Sequence, residues 1–497
     1  MMVSIMAQVQ DIEVLAVPVR RRPANWGSLA LWALAGLYIL VRAWNLTTFC
    51  LDSDEVFSLT SARLSLDRLI PALVYDLVHP PLSYLLLKAW IAIGGTSLLW
   101  VRLLPFTLSV AALAPLFLIF RKLALSPPAR VLSLALIAVN DYQVFHARYV
   151  RSYSLLFLLS LMSLYLFLEW LEEGGGRKLA ALILANILLV YAHYYGWTIV
   201  LVEAAAVALW ARHRLKQFLL AATTVVAAFV PWLLAALESV AARGGLRQNL
   251  SWIQRPGLRD LLWFYAGLSG PLAPIPLASA MSLACLTFVA AGLPRVFRGV
   301  ATPRDALRLR VLVLAATLPP ALSFAASNLL PESVWGSRHL IVSAVPYMIL
   351  LAVSVCGLRP AALRHVAAVL VAAWLTWGAY QATAAPEPRL NLEAVAHELA
   401  RRTANERVVT VYSLDGYLPA WIEYYLQPYG RVKWRVIAIR EPAAAAGEHF
   451  WLAYNEKFWR DSRRPEDLLR QRGYVTGPGI WASDPWNRIA IVPVWRR

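Results

Sequence analysis

The sequence is poor in cysteine and in charged residues. Its 497 residues include three cysteines, Cys50, Cys285 and Cys356, and two of these lie in apolar runs. A disulfide framework is therefore excluded, and the redox compartment stays open. Charged residues make up 15% of the chain and hydrophobic residues 59%, which excludes an ordinary soluble domain.

Several familiar signatures are also missing. The sequence has no repeat of fixed period, and no inverted repeat of the transporter kind is evident, which favours an enzyme. No small-residue cleavage site follows the first apolar run, which is preceded by Arg20, Arg21 and Arg22. This run is therefore predicted to be a retained helix with the N-terminus in the cytoplasm.

Long apolar runs separated by short basic clusters dominate what is present. Several runs reach the roughly 20 residues that span a bilayer. The net charge of +18 is concentrated in alternate loops, which is the positive-inside pattern of membrane proteins and argues against a nucleic-acid partner. About eleven transmembrane helices are predicted, near residues 26–46, 100–120, 131–145, 153–171, 179–195, 197–211, 217–237, 276–293, 311–328, 340–357 and 365–383.

The apolar piece from Pro80 to Gly94 is treated differently. It is short for a span and carries Lys88 in its middle, so we predict an interfacial helix on the outer face. With this parity, residues 1–25 form a cytoplasmic segment. Residues 26–385 form a transmembrane domain with an outer loop at 47–99, and residues 386–497 lie outside the cytoplasmic membrane.

The tail beyond the PEP sequence at 386–388 changes in composition. Helical periodicity covers 392–402 and 419–426, and β-type runs cover 408–413, 434–439, 450–455 and 489–495. This alternation predicts a small α/β domain of about 110 residues. The domain contains no Gly-rich phosphate loop and no metal-ligand spacing.

An acidic cluster follows the first predicted span. Asp52, Asp54 and Glu55 place three carboxylates within four positions, where the chain should leave the bilayer. Carboxylates at a membrane face are costly to desolvate, so the cluster indicates a catalytic base or a cation site. A solvated loop cap is the alternative.

Later outer loops carry basic and aromatic residues together. These are HARYVRSY at 146–153, AHYYGW at 192–197 and WGSRHL at 335–340. Arginine beside tyrosine and tryptophan at the hydrocarbon boundary suits an anionic phosphate or diphosphate head group. An aromatic belt with incidental arginines is the alternative.

These segments together resemble the bacterial GT-C superfamily of membrane glycosyltransferases, family 39 type, which includes protein O-mannosyltransferases and lipid A aminoarabinose transferases. The resemblance rests on the Asp54–Glu55 pair, HPPLSYLLLKAW at 79–90, WVRLLPFTLSVAALAPLFLIFRKL at 100–123 and HARYVRSYSLLFLLSLMSLYLFL at 146–168. It covers residues 28–210 and is looser beyond. It implies an inverting enzyme of the cytoplasmic (inner) membrane that moves a hexosyl or pentosyl group, on the outer face, from a polyprenyl-phosphate donor to a protein, lipid or glycan acceptor.

The resemblance also implies roles for individual residues. Asp54 would be the general base, and Glu55 would orient the acceptor or bind a cation, whereas Asp52 is read as a solvated neighbour. The leaving phosphate would be stabilised by Arg148, Arg151, Arg338, Tyr153 and Tyr194. His79 and His193 with Glu55 could bind a divalent cation, Zn, Mn or Mg, or the histidines could be only hydrogen bonded; no cofactor is certain.

Two other interpretations stay open at this stage. Glu203 lies within the sixth predicted span, where a carboxylate is either functional or satisfied by Tyr and Trp donors on facing helices. A transporter or lipid flippase would place ionisable groups near the bilayer midplane. In this sequence the charged residues lie at one outer face, which argues against a transporter. A non-catalytic scaffold is a further alternative, but it would not explain why the acidic cluster and the outer arginines occur together.

Overall fold

The computed structural model of the protein describes residues 26–242, 253–271, 275–300, 302–384, 390–416, 418–457, 459, 461–484 and 487–497. The predicted cytoplasmic segment 1–25 and the PEP linker lie outside the described residues.

The described chain before the C-terminal domain is almost entirely helical. Its helices are α1 (Trp26–Ala43), α2 (Ser53–Arg63), α3 (Leu66–Asp76), α4 (Leu82–Gly94), α5 (Leu98–Ala111), α6 (Leu113–Lys122), α7 (Pro127–Val139), α8 (Asp141–His146), α9 (Tyr153–Glu173), α10 (Gly176–Ala192), α11 (Gly196–Trp210), α12 (Leu215–Ala242), α13 (Leu258–Ser269), α14 (Ile275–Arg298), α15 (Pro303–Leu329), α16 (Ile341–Cys356) and α17 (Ala361–Ala384). Short 3₁₀ turns at Arg212–Arg214 and Ser337–Leu340 precede α12 and α16.

Seven helical stretches in this part of the chain are long and apolar enough to cross a membrane. They are Leu98–Lys122, Tyr153–Glu173, Arg212–Ala242, Ile275–Arg298, Pro303–Leu329, Ser337–Cys356 and Ala361–Gln381. The other four predicted spans fall on α1, α7, α10 and α11, which have 18, 13, 17 and 15 residues. The protein is a polytopic helical membrane protein, as predicted, while the number of eleven crossings stays a prediction.

The C-terminal domain is a mixed sheet covered by helices. Its elements are α18 (Leu392–Arg402), β1 (Val408–Ser413), α19 (Leu418–Leu426), β2 (Lys433–Ala438), β3 (His449–Asn455), α20 (Pro465–Arg470), β4 (Tyr474–Thr476), β5 (Ile480–Ser483) and β6 (Arg488–Arg496). The strand order is β2-β1-β3-β6-β4, with β5 also pairing with β6. Strands β2, β1 and β3 run parallel, and β6 is antiparallel to its neighbours.

The sequence predicted two of the three helices and four of the strands in this domain, and the structure confirms them; it missed the six-residue helix α20. Strands β4 and β5 were missed because they have only three and four residues, too few for periodicity to register. The C-terminal domain has two hydrophobic cores, one on each face of the central strand β3. Trp451 and Ala453 face one core with α18 and α19, whereas Phe450, Leu452 and Tyr454 face the other, as expected for a strand covered on both faces.

The first of these cores continues into the outer loop. Buried residues of α2, α4 and α5 belong to the same apolar cluster as α18 and α19. Tyr425 Oη donates a hydrogen bond of 2.8 Å to the Leu51 carbonyl, and Trp421 Nε1 lies 3.3 Å from the same oxygen. The C-terminal domain is thereby fixed directly beside the acidic cluster.

Two short helices form the first half of the segment predicted to be the outer loop. The chain forms α2 and α3 with a break at Leu64, whose backbone is extended. Lys88 on α4 donates to the carbonyls of Leu64 and Ala62 and so caps the end of α2. The HPP sequence leads into α4, which packs against α2.

Glu203 is held in a buried polar triad that joins three helices. Its Oε1 lies 2.6 Å from Ser163 Oγ on α9, and its Oε2 accepts from Asn186 Nδ2 on α10 at 2.7 Å. Ser163 Oγ also lies 2.6 Å from Asn186 Oδ1. The expected Tyr and Trp partners are wrong, since the partners are a serine and an amide.

The number of protons available to the three hydrogen bonds of this triad leads to a prediction about Glu203. The single hydroxyl proton of Ser163 can serve only one of its two contacts, so the third hydrogen bond needs a proton from residue 203. Glu203→Gln should therefore leave the melting temperature in detergent micelles unchanged. Glu203→Ala should cost roughly 1–3 kcal/mol of unfolding free energy, because buried polar groups lose partners. A lower melting temperature of Glu203→Gln would contradict the proton on residue 203.

Candidate active site

The site begins at the N-terminus of α2. Asp52 is the N-cap residue, and its Oδ1 accepts from the Glu55 amide at 3.0 Å. Glu55 Oε2 accepts in return from the Asp52 amide at 3.1 Å, which completes a capping box. Asp52 is therefore not the solvated neighbour that the sequence suggested. The helix starts where it does because D-x-x-E satisfies two of its free N–H groups.

Glu55 is buried, with 1% of its surface exposed, and holds the loop together. Its Oε2 pairs with Arg102 Nη2 on α5 at 3.2 Å, and its Oε1 accepts from the Val150 amide at 3.0 Å. Arg102 also donates to the backbone carbonyls of Leu46, Phe49 and Cys50. Acceptor orientation or cation binding by Glu55 stays a prediction, and either role would require breaking this buried ion pair.

Sequence reasoning missed Arg102 altogether. A signal was available, because an arginine inside the apolar stretch WVRLLPF needs a buried partner or a functional reason. The same argument had been applied to Glu203 alone.

Asp54 is the accessible carboxylate of the cluster. Its side chain is 34% exposed, and its Oδ2 lies 3.4 Å from Arg338 Nη1. Tyr149 Oη donates to Asp52 Oδ2 at 2.7 Å and lies 3.5 Å from Asp54 Oδ2. Tyr149 was not singled out within HARYVRSY, yet it links the two aspartates.

The two aspartates have opposite pKa shifts. Burial, followed by the charges of Glu55 and Asp54, raises the pKa of Asp52 to about 7, despite the hydrogen bond from Tyr149. Burial also acts to raise the pKa of Asp54, but Arg151, Arg338 and Tyr149 outweigh it and lower that pKa below its usual value. Asp54 is therefore ionised at neutral pH, whereas Asp52 is near its titration midpoint.

Arg151 contacts four other residues of the site. Its Nη1 donates to Ser58 Oγ at 3.1 Å, to Tyr84 Oη at 3.2 Å and to the Asp54 carbonyl at 3.3 Å. Its Nη2 lies 3.2 Å from His79 Nδ1. The structure thus brings together Arg151, Arg338 and Asp54, three residues that the sequence placed in one site.

Two other predicted phosphate-binding residues lie elsewhere. Arg148 donates to the carbonyls of Val41 and Arg42, so it caps the C-terminal end of α1. Tyr194 packs in a separate apolar cluster, where its Oη accepts from Trp232 Nε1 at 3.0 Å. Arg148 and Tyr194 thus make other contacts in this structure, and their assignment to the phosphate site stays a prediction.

Three histidines meet behind Arg151. One nitrogen from each of His79, His193 and His339 lies within 4.8 Å of the others. Tyr153, fully buried, has its ring centroid 6.1 Å from that of His193 and 6.0 Å from that of His339. His339 was missed as an individual residue, although it belongs to the SRHL segment that the sequence had indicated.

Three imidazoles this close could hold a divalent cation, but without the Glu55 ligand that the sequence suggested. No carboxylate joins the three rings in the part of the chain that the structure describes, and Glu55 is paired with Arg102. The nearest formal charge to His79 is the Arg151 guanidinium, 3.2 Å from Nδ1. Burial, Arg151 and the neighbouring histidines hold the pKa of His79 well below its usual range, so the ring is neutral.

A cavity opens from this polar end into an apolar groove. The empty space in it is about 410 Å³ when the open mouth is included. Ser58, His79, Tyr84 and Arg151 line the polar end. The remaining wall, from α4, α5 and α9, includes Leu86, Leu87, Leu104, Pro105, Leu108 and Leu155.

Comparison with known proteins identifies solved structures with a similar fold. No protein-family model matches the chain, and no curated protein matches it by sequence. The crystal structure of ArnT from Cupriavidus metallidurans in the apo state matches with a TM-score of 0.52 at 11% identity, over 94% of this chain and 97% of ArnT. ArnT bound to undecaprenyl phosphate matches with a TM-score of 0.51 at 11% identity, over 94% and 98%. The chain therefore shares the fold of ArnT, a polytopic helical domain with a small C-terminal sheet domain, as its sequence predicted.

Proposed function

We propose that the protein transfers a sugar from a polyprenyl-phosphate donor to an acceptor, with inversion, on the outer face of the cytoplasmic membrane. One observation carries this proposal. An ionised carboxylate with about one third of its side chain exposed, Asp54, lies beside Arg151 and Arg338 at the polar end of an apolar cavity. The shared fold supports it, because one ArnT structure is bound to undecaprenyl phosphate.

The chemistry assigns Asp54 to the acceptor. Its carboxylate takes the proton of the acceptor hydroxyl while the hydroxyl oxygen attacks the anomeric carbon from the face opposite the phosphate. The bond between the anomeric carbon and the phosphate oxygen breaks, and polyprenyl phosphate leaves with the electron pair. Arg151 and Arg338 stabilise the negative charge that develops on it.

The apolar wall of the cavity is proposed to bind the lipid chain of the donor. Leucines from α4, α5 and α9 line it on the side away from Arg151, so a prenyl chain can be buried while its phosphate stays at the polar end. This groove joins the outer-loop helices to the membrane-spanning bundle. The lipid donor could therefore enter from the bilayer without leaving an apolar environment.

The C-terminal domain, residues 386–497, is proposed to lie outside the cytoplasm and to help select the acceptor. Trp421 and Tyr425 contact the Leu51 carbonyl, one residue before the N-cap of α2. In the same topology, the N-terminal segment is cytoplasmic and the catalytic domain covers residues 26–385. Protein, lipid and glycan acceptors all remain compatible with this position.

The direct test uses purified protein with a panel of labelled polyprenyl-phosphate hexoses and pentoses and an extract of its own cell envelope as acceptor source. We expect release of polyprenyl phosphate from at least one donor, together with transfer of label to the extract. Asp54→Asn protein in the same preparation is the matched control. If the lipid crossed the bilayer of proteoliposomes without any release of polyprenyl phosphate, a flippase would replace the enzyme.

A further inference from the structure

We infer that His79 and His193 bind the phosphate of the donor through their Nε2–H groups, which makes the three-histidine cluster an anion site. This inference rests on the proposed function. It differs from the cation site that the sequence suggested, and the hydrogen-bond partners of the two rings decide between them.

The first ring is fixed by Arg151. His79 Nδ1 lies 3.2 Å from Arg151 Nη2, and a guanidinium has no lone pair to accept a hydrogen bond. His79 Nδ1 must therefore be the acceptor, which leaves the proton of the neutral imidazole on Nε2. A nitrogen that carries a proton cannot bind a metal ion.

The second ring is fixed by the backbone. His193 Nδ1 accepts from the Tyr195 amide at 3.0 Å, and an amide N–H can only donate. The proton of His193 is therefore also on Nε2. Metal-binding histidines have the reverse arrangement, because the nitrogen that does not bind the metal donates its proton to a carbonyl or carboxylate.

The resulting donors are buried and unused. His79 and His193 are each 2% exposed, and within the described ranges neither Nε2 has a hydrogen-bond partner. Tyr153 Oη and Arg151 Nε, in the same region, are also buried without a partner there. Buried donors are normally satisfied, so four of them in one site indicate a ligand made of acceptors.

A phosphate supplies such acceptors. Its oxygens can accept from the two Nε2–H groups while Arg151 and Arg338 supply the positive charge. As the sugar–phosphate bond breaks, negative charge grows on these oxygens, and donors in a water-poor site stabilise it without reorganising. His339 completes the cluster with both ring nitrogens buried and without a partner among the described residues.

Two substitutions separate an anion site from a metal site. His→Gln keeps an amide N–H near the position of Nε2 but is a much weaker zinc ligand than imidazole, whereas His→Phe keeps the ring shape and removes the donor. Polyprenyl phosphate binding to full-length protein in micelles is measured by calorimetry. The variants are His79→Gln, His79→Phe, His193→Gln and His193→Phe, with exposed His397→Phe as the control and melting curves to check folding.

For each histidine we expect the Phe variant to lose about 10- to 100-fold in affinity. The Gln variants and His397→Phe should stay within a few-fold of wild type, and EDTA should leave wild-type affinity unchanged. Loss of binding in the Gln variants or with EDTA, restored in wild type by Zn²⁺, would overturn the inference in favour of a metal. Folded Phe variants with wild-type affinity would overturn it and leave the proposed function intact. Failure of wild-type protein to bind polyprenyl phosphate would remove both.

Discussion

Asp54→Asn is expected to lower the rate of sugar transfer by about 10²- to 10⁴-fold, the typical contribution of a positioned general base. The amide has the same shape but cannot take a proton from the acceptor. Because Asp54 is 34% exposed and does not cap α2, the fold should be unaffected. Single-turnover release of polyprenyl phosphate from saturating donor measures the loss, and melting temperature checks the fold.

Asp52→Asn is the matched control for this substitution. Asparagine caps helices as well as aspartate does, so α2 should remain in place. With the amide oxygen kept as the cap, the amide NH₂ can donate to Tyr149 Oη, and activity should stay within a few-fold of wild type. Comparable losses in both variants would mean that the two carboxylates act as one unit, and a loss in Asp52→Asn alone would make Asp52 the base.

The pH profile of the wild-type enzyme distinguishes the two aspartates independently. As pH falls through about 7, Asp52 takes up a proton, because its pKa is raised to about that value. Asp54 stays ionised, because Arg151 and Arg338 lower its pKa below the usual value. With Asp54 as base, kcat/KM should show no loss near pH 7 and should fall only below about pH 4, the ordinary range of an aspartate. An acid limb centred near pH 7 would assign the base to Asp52.

Arg102→Met is expected to destabilise the protein by about 3–5 kcal/mol, because it leaves the buried carboxylate of Glu55 without its charge partner. The substitution also removes the donors to the carbonyls of Leu46, Phe49 and Cys50. The loop that presents Asp54 should therefore loosen, and folded protein should be recovered in low yield. Thermal and denaturant unfolding in micelles measure the change.

Two companion variants make this prediction specific. Arg102→Met combined with Glu55→Gln should recover part of the lost stability, because no unpaired charge then remains buried. Arg63→Met, at an exposed arginine that contacts Gln427, should change stability by less than about 0.5 kcal/mol. Wild-type stability of Arg102→Met would show that Glu55 is not held by this pair.

Some features of the site followed from local sequence. The D-x-x-E capping box starts α2 at Ser53 and places two carboxylates in its first turn. Apolar runs marked the helices, and short β-type runs marked four strands, because burial on one or two faces imposes a period that can be read locally. These features need only neighbours within a few positions of each other.

The partners of the charged groups could not be read in this way. Arg148 and Arg151 lie three positions apart in one motif, yet Arg148 caps α1 whereas Arg151 contacts the residues around Asp54. Both arginines lie in the turn between α8 and α9, where their side chains point to different partners. The spacing of apolar residues does not predict the direction of a side chain in such a turn. Glu55 likewise meets Arg102, which is 47 positions away.

The sequence by itself determined that this is a polytopic membrane protein with a small C-terminal α/β domain, and it marked an acidic cluster just after the first predicted span. Only the tertiary structure decided the partner of each carboxylate in that cluster. Glu55 is neutralised by Arg102, Asp52 caps a helix, and Asp54 faces Arg338 from 284 positions away. The physical reason is that burial and charge pairing depend on distances in space, and packing of helices far apart in the chain sets those distances.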